Sequence, residues 1–417
     1  MDTPDEKSGS VTVIHALEPF PEEVTKTIFL AGPTPRGEEG KSWRPNMVEL
    51  LVRYGFDGHV FVPEPKNSTW AEEYSNQVEW EEEGLQRADC ILFWVPRDIE
   101  GKHGQKMPAL TTNDEWGAWK ASGKVVWGDP PYAEKTRYQK HYAKKFGVPM
   151  EMYLNMIAQA AVKQVGEGAL RKGGECQVPL HIWRKPDFQA WYKALKEAGN
   201  RLDGARLVWN FRVPAPDFND SGKPPARTFL YALHVNVHIG AEDRNKRNEI
   251  VIFRPDISSV VLYHRPPPSY DRLQATKVVL VKEFRSPVRN GKGFVYELPG
   301  GSSPKADESP EQVAAQEVEE EVGLKLEPDR LHRVGQRQIG ATLAAHHGAV
   351  YAVELTRDEL TLLEEQAAQG VTHGEEGSTE RCYTVVEPVG RIMREELVDW
   401  SQLGMILSAL IYTPERP

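Results

Sequence analysis

In the first half of the chain, short apolar runs alternate with segments whose apolar positions recur at helical spacing. Residues 27–30, 59–62, 90–95 and 124–127 are strand-like, apolar through most or all of their length, as strands buried on both faces are. Between them, 46–54, 74–87 and 115–122 carry the helical period. Strand and helix in alternation predict a Rossmann-like α/β domain, a parallel sheet covered on both faces. Residues 1–25 read as a flexible tail. The helical segments 150–166 and 188–198 finish or flank the domain, which spans 26–198.

After about residue 200 the texture changes. Residues 206–213, 229–238, 249–253, 259–264, 277–284 and 293–298 alternate or run apolar like strands, broken by proline-rich turns such as RPPPSY at 265–270. A helix is predicted over 309–322, more strand follows, and a helix closes the chain near 400–411. This is an α+β domain over 199–417 with one helix held against a mixed sheet.

Composition narrows the function classes. The 417 residues, 40% hydrophobic and 27% charged, suit two soluble domains. A net charge of −10 disfavours a general nucleic-acid binder but leaves room for small phosphorylated ligands held through metal ions or a local arginine cluster. Three scattered cysteines, Cys90, Cys176 and Cys382, point to a reducing compartment without disulfides or structural zinc. The acidic start and the short apolar runs predict a cytoplasmic protein with no leader and no membrane partner.

The most informative stretch begins at Glu297-Leu298-Pro299-Gly300-Gly301. Paired glycines allow a tight turn after a strand. Ser309 before Pro310 is a helix start, and Gly323 closes the helix. Glu317, Glu320 and Glu321 stand at i, i+3 and i+4, which puts their carboxylates on one helical face. Like charges so close disfavour the helix, by a few tenths of a kcal/mol per pair. A hard divalent cation, Mg2+ or Mn2+, would offset that; the plainer reading is a solvated acidic face.

From Gly301 through Glu308, Glu317, Val318, Glu320, Glu321, Gly323 and Leu324 the segment resembles the box of the Nudix hydrolases. It departs in two places: six residues separate Gly301 from Glu308 where the family has five, and Gln316 stands where the family has the arginine that orients the catalytic glutamate. The resemblance implies an α/β/α sandwich, Mg2+ or Mn2+ held by Glu308, Glu317, Glu320, Glu321 and the Gly300 backbone, and hydrolysis of a nucleoside diphosphate derivative. ELPGG and the upstream VVLVKEFRSPV, with Arg285 as a substrate-binding residue, resemble the branch acting on ADP-ribose and nucleoside diphosphate sugars. Gly340 stands where that branch has proline. Glu376 and Glu380 are candidates for a general base on a late loop, or simply an acidic surface loop.

The first half carries a second constellation. IFLAGPTPR places Gly32 and Pro33 at the end of a strand, where open α/β sheets bind ligands. WEEEGLQRADCILFWVPRD supplies Glu81, Asp89 and Asp98, and TTNDEWGAWKASGKVV places Asp114 and Glu115 at the start of a helix, whose amino end favours a carboxylate anion. These segments resemble the nucleoside 2-deoxyribosyltransferase family and its nucleosidase relatives. The resemblance implies that Glu115 attacks the anomeric carbon of a nucleoside, with Asp89 or Asp98 steering the base or donating a proton and Glu81 at another acidic position of the family. Arg36 and Arg44 could hold a substrate phosphate, although each alone fits a solvated surface arginine; Asp89 fits a cap between helix and strand equally well. His234, His238, His346 and His347 read as structural, and Trp183, Trp191 and Trp209 as packing residues.

Taken together, the chain is expected to be a nucleotide-processing enzyme with two active sites, binding a small nucleotide and working as a homodimer or higher oligomer, as both families commonly do. The alternative is a nucleotide sensor whose domains bind without turnover, to which the Gln316 substitution lends weight.

Overall fold

The computed structural model describes residues 11–35, 41–66, 74–103, 106–213, 227–268, 271–302, 309–374 and 379–412. The chain divides into two compact units, with the boundary in the sequence between Phe253 and Arg254.

The first unit is built on a parallel six-stranded sheet. Its strands are β1 (Thr12–His15), β2 (Thr27–Ala31), β3 (His59–Val62), β4 (Cys90–Trp94), β5 (Val125–Gly128) and β6 (Met150–Glu151), in the order β1-β3-β2-β4-β5-β6. The expected tail is thus partly wrong: residues 12–15 pair with β3 in parallel register, Thr12 opposite His59. Alternate residues of each strand enter opposite cores, as the two-residue strand period requires. Ile28, Leu30, Leu92 and Val126 pack with α1 (Arg44–Arg53) through Met47 and Leu51, and with the 154–165 helix through Ile157 and Ala161. Phe29, Phe93 and Trp127 pack on the other face with α2 (Tyr74–Arg87) through Trp80 and with α3 (Leu110–Trp119) through Trp116.

Three long antiparallel strands, β7 (Arg201–Val213), β8 (Arg227–Ile239) and β9 (Arg244–Phe253), form a separate sheet with β8 in the middle. They were expected in the second domain, yet they group with the first unit. The reason is visible in its contacts: Asn210 Nδ2 donates to the Ser122 carbonyl at 2.8 Å, Lys185 Nζ to the Thr228 carbonyl at 2.9 Å, and Phe253 packs edge-on against Trp191. Trp183 and Trp191 pack in this aromatic group, whereas Trp209 is half exposed and stacks on Phe211.

The second unit is a mixed sheet. Strands β10 (Ile257–His264), β11 (Lys277–Phe284), β12 (Phe294–Glu297), β13 (Gly300–Gly301), β14 (His332–Gln338), β15 (His347–Glu354), β16 (Thr372–His373) and β17 (Cys382–Pro388) run in the order β14-β15-β10-β11-β17-β16, with β12 on β11 and β13 on β10. Helix α4 (Pro310–Val322) covers one face through Ala314, Val318 and Val322, meeting Val260 and Leu262. Helix α5 (Trp400–Tyr412) covers the other through Ile406, Ala409 and Leu410, meeting Val261 and Tyr263. A sheet between helices on both faces is the α/β/α sandwich that the resemblance implies, with a second helix where the residue pattern placed one. No helix among the described residues is long and apolar enough to cross a membrane.

Candidate functional site

In the first unit the strand order reverses at β2: the chain passes from β2 to β3 on one side, then to β4 on the other. Such a switch point, here at the carboxyl ends of β2 and β4, is where open α/β sheets form the crevice that takes ligands. Gly32 lies at its lip, with φ +143° and its Cα so close to the Trp94 carbonyl oxygen that a Cβ would overlap it. Only glycine fits there. The Pro33 carbonyl accepts from Trp43 Nε1 at 3.2 Å, which ties the next residue to α1.

Arg44 lies beneath this turn, only 1% exposed. Its guanidinium donates to the carbonyls of Leu30 (3.0 Å) and Gly32 (2.7 Å), to Thr34 Oγ1 (3.0 Å) and to Glu64 (2.5 Å). The expectation that Arg44 holds a substrate phosphate is therefore corrected: its donors are spent on shaping the strand-end loop. Glu64, its partner, was not anticipated, although an acid just past a strand end was the available signal.

Two helices bring carboxylates to this crevice. Glu115 stands on α3, Glu81 on α2, and the charge of Arg44 reaches both. Burial, then the Glu81 charge, push Glu115 up to about 8, against the pull of Arg44. Burial also raises Glu81, opposed by Gln77, whose Nε2 donates to Glu81 Oε1 at 2.7 Å, and by Arg44. Glu115 is the sixth residue of α3 and not at its start, so the expected help from the helix amino end is absent and the neutral form is favoured instead. Asp114, beside it, is exposed. Helix α3 is held by Arg97, another unanticipated residue, which donates to Asn113 Oδ1 at 2.5 Å and to the Lys135 carbonyl at 3.1 Å.

Asp89 and Asp98 do not join this group. Asp89 precedes β4, at the opposite edge of the sheet from Gly32; it pairs bidentately with buried Arg171 (2.6 and 2.8 Å) and accepts from the Thr27 and Leu180 amides, both at 2.8 Å. Every oxygen is satisfied from within, so Asp89 ties β4 to β2 and to the 171–180 segment. Asp98 accepts from the amides of Gly101 (2.8 Å), Lys102 (3.0 Å) and His103 (2.6 Å), closing a loop; burial opposes its ionisation, but these donors hold it below the usual carboxylate range. Arg36 lies outside the described residues.

The second unit gathers its acids around β13. Ser309 caps α4 by accepting from the Gln312 amide at 3.2 Å while Gln312 Oε1 accepts from the Ser309 amide at 2.9 Å, and Gly323 ends the helix at φ +68°. The register so set turns Glu317 and Glu321, one helical turn apart, to the glycine corner. The Glu317 carboxylate lies against the Cα of Gly301, and Gly300 needs to be glycine because the backbone carbonyl of Ser258 would overlap a Cβ there. Glu321 is 6% exposed and accepts from the Gly300 amide at 2.9 Å. Burial pushes it up to about 8, with the charges of Glu317 and Glu380 adding to the rise and Arg285 opposing. Glu320 was expected on the same face, but its recorded hydrogen bond comes from Gln316 Nε2 at 2.7 Å, on the exposed side of α4.

Arg285 lies among these acids, 2.8 Å from Glu283 and 3.2 Å from Glu297. Those two acids, and Cys382 beside Glu283, were not anticipated because they come from different strands. Glu308 and Glu376 lie outside the described residues.

Residues 25–131 match the family model described as nucleoside 2-deoxyribosyltransferase-like, and residues 270–379 match the NUDIX domain. The chain joins a nucleoside 2-deoxyribosyltransferase-like domain to a NUDIX domain. No curated protein matches it. Among solved structures it is similar to an ADP compounds hydrolase at 12% identity, over 51% of this chain and 93% of that one, with a TM-score of 0.33. In the second unit, clustered oxygen donors that disfavour one another's charge fit a hard divalent cation, which Glu317 and Glu321 could hold, with Glu380 close enough to act on Glu321 through its charge. The deoxyribosyltransferase-like domain presents a different chemistry: a carboxylate pair in a crevice, suited to a reaction in which positive charge grows on a sugar.

Proposed function

We propose that the chain is a two-site nucleotide-processing enzyme, whose NUDIX domain hydrolyses the diphosphate of an ADP-ribose-like nucleoside diphosphate derivative and whose first domain cleaves or transfers at an N-glycosidic bond. The observation that carries this is the meeting of Glu317, Glu321 and Glu380 at the Gly300–Gly301 corner. A Mg2+ or Mn2+ ion bound there would neutralise the diphosphate and make bound water a better nucleophile. Glu317 and Glu321 would hold the ion, with Glu308 as a further ligand expected from the sequence; Glu380 would take the proton of the attacking water, and Arg285 would offer its charge to the phosphate.

In the first domain Glu115, once ionised, attacks the anomeric carbon and the base leaves with the bonding electrons. Water or a second base then resolves the glycosyl ester. Glu81 is the second carboxyl of the pair, and Gly32 and Pro33 form the wall on which the sugar rests.

A mass-resolved product assay tests both sites, using Mg2+ with NAD, ADP-ribose, sugar nucleotides, nucleosides and nucleoside monophosphates. Base release lost only in Glu115→Ala, and monophosphate formation lost only in Glu317→Gln, are the expected results. A folded protein that turns over no member of the pool overturns the reading. It would favour a sensor, for which the specific observation is that Gln316 donates to Glu320 and carries no charge to orient Glu317.

A further inference from the structure

We propose that the helix Arg137–Lys145 of the first unit is a docking strip for single-stranded nucleic acid, held through its phosphates and its unstacked bases. From Lys135 to Phe146 the sequence reads KTRYQKHYAKKF, rich in lysine and arginine and without one acid, in a chain whose net charge is −10. The helical period sorts these residues onto faces. Gln139 and Ala143 are buried, while Arg137, His141 and Lys144, at i, i+4 and i+7, form an exposed basic stripe. Tyr138, Tyr142 and Lys145 form the stripe beside it, so cations and aromatic rings lie next to one another.

Two features point to a partner from outside the domain. Lys140 is matched by an acid, Asp129, at 2.7 Å, whereas Arg137, Lys144 and Lys145 form no ion pair with a described residue. Arg137 and Lys140 also stand in the first turn of the helix, where the backbone favours anions and no acid is present. A polyanion lying along the strip would offset that. The second feature is Tyr138, 68% exposed although it is a large ring. Tyr142 braces it edge-on at 5.0 Å and is itself stacked on Phe146 at 6.0 Å, with Lys120 Nζ and Lys145 Nζ 5.7 and 5.9 Å from its centre. Tyr142 is thus engaged on several sides, and Tyr138 leaves most of its surface in solvent.

The pairing of the two stripes decides the occupant. A duplex offers phosphates but keeps its bases stacked inside, which leaves Tyr138 without a partner. An acidic peptide or an anionic bilayer answers the charge and offers no planar ring to stack. A single strand presents regularly spaced phosphates together with bases free to stack on an aromatic side chain. The strip is also rigid. Gln139 Nε2 donates to Asn113 Oδ1 at 2.8 Å on α3, and Arg97 holds the Lys135 carbonyl at 3.1 Å. Tyr142, Ala143 and Phe146 pack into the core that contains Trp116 and Trp127. A strand therefore meets a preformed surface and need not order it. This docking rests on neither active site's chemistry.

The test is fluorescence anisotropy of end-labelled oligo-dT and oligo-U, each about 20 nucleotides long, to span the strip with strand to spare. The full-length protein is used in EDTA, so that no metal in the second unit bridges to phosphate. Saturable binding to either strand at about 50 mM salt is expected, the tighter one naming the sugar, with a slope of log affinity against log salt of about −2 for three phosphate contacts. Arg137→Glu with Lys144→Glu should weaken binding about tenfold or more. Lys325→Glu with Arg357→Glu, two exposed positions whose reversal changes the net charge equally, should leave the affinity within about twofold. Tyr138→Ala should cost about fivefold or more, and Tyr138→Phe, which keeps the ring, should restore binding. Circular dichroism checks that each variant folds. Absence of binding, equal losses in the two charge-reversed pairs, unchanged affinity in Tyr138→Ala, tighter binding to a duplex of the same length, or binding to phosphatidylserine vesicles in place of the oligonucleotides overturns the proposal.

Discussion

The Gly300 amide donates to Glu321 Oε2 at 2.9 Å, which joins the glycine corner to the acidic helix through one buried hydrogen bond. Glutamine at this position keeps an acceptor for the amide but loses the charge. Glu321→Gln is expected to fold normally and to lose about 10–100-fold in metal-dependent diphosphate hydrolysis, the range typical for residues that support a metal site. Steady-state kinetics with circular dichroism check this; unchanged hydrolysis would remove Glu321 from the site.

Glu115 titrates from an ordinary value of 4.5 to about 8, chiefly by burial. Its nucleophilic form is the anion, so base release should rise about tenfold per pH unit below 8 and level off above it. Stability runs the other way. Below pH 4.5 the carboxyl is neutral in folded and unfolded chains alike and contributes nothing. Between about 4.5 and 8 the unfolded chain ionises while the folded chain keeps its proton, so stability falls as pH rises, and above 8 the loss is complete. Glu115→Gln should therefore abolish base release yet melt higher than wild type at pH 8, with the gap closing toward pH 4. Equal melting curves at both pH values would refute the assignment of a buried, proton-holding carboxyl.

Asp89 and Arg171 are both essentially inaccessible to solvent and paired at 2.6 Å. Removing one charge strands the other, which costs about 3–5 kcal/mol. Asp89→Asn is expected to lower the unfolding free energy by that amount in denaturant melts, while the fraction that folds retains the wild-type pH profile for base release. A variant as stable as wild type, or one that folds fully and shifts that profile, would return Asp89 to the chemistry.

Gly32 and Trp94 approach so closely that a methyl group on Gly32 would overlap the Trp94 carbonyl, on a backbone with φ +143°. Gly32→Ala is expected to cost about 1–3 kcal/mol of stability and to cut base release, leaving diphosphate hydrolysis intact. If alanine is accepted with full base release, the lip of the crevice is not where the sugar rests.

Much of this molecule was legible because its signals are local. The apolar runs at 59–62 and 277–284 coincide with the strands observed, and Ser309, Pro310 and Gly323 delimit α4 as their capping chemistry requires. The periodicity of the backbone writes such features into a few neighbouring residues. Helix α3 was placed late, at 115–122 against Leu110–Trp119, because Ala109 enters it with a left-handed backbone and no polar cap.

Features that depend on distant residues were decided only by the tertiary structure. Nothing near Arg44 in the sequence says that it turns inward to the Leu30 and Gly32 carbonyls, nor that Asp89 meets Arg171 eighty-two residues on. Glu283 meets Cys382 only through the register of β11 and β17, and 201–253 joins the first unit only because its strands find partners there. By itself the sequence determined the periods, caps and turns, because those follow from each residue's own backbone and nearest neighbours. The tertiary structure decided which charges meet and which are buried, because strand register and burial are set by how the whole core packs.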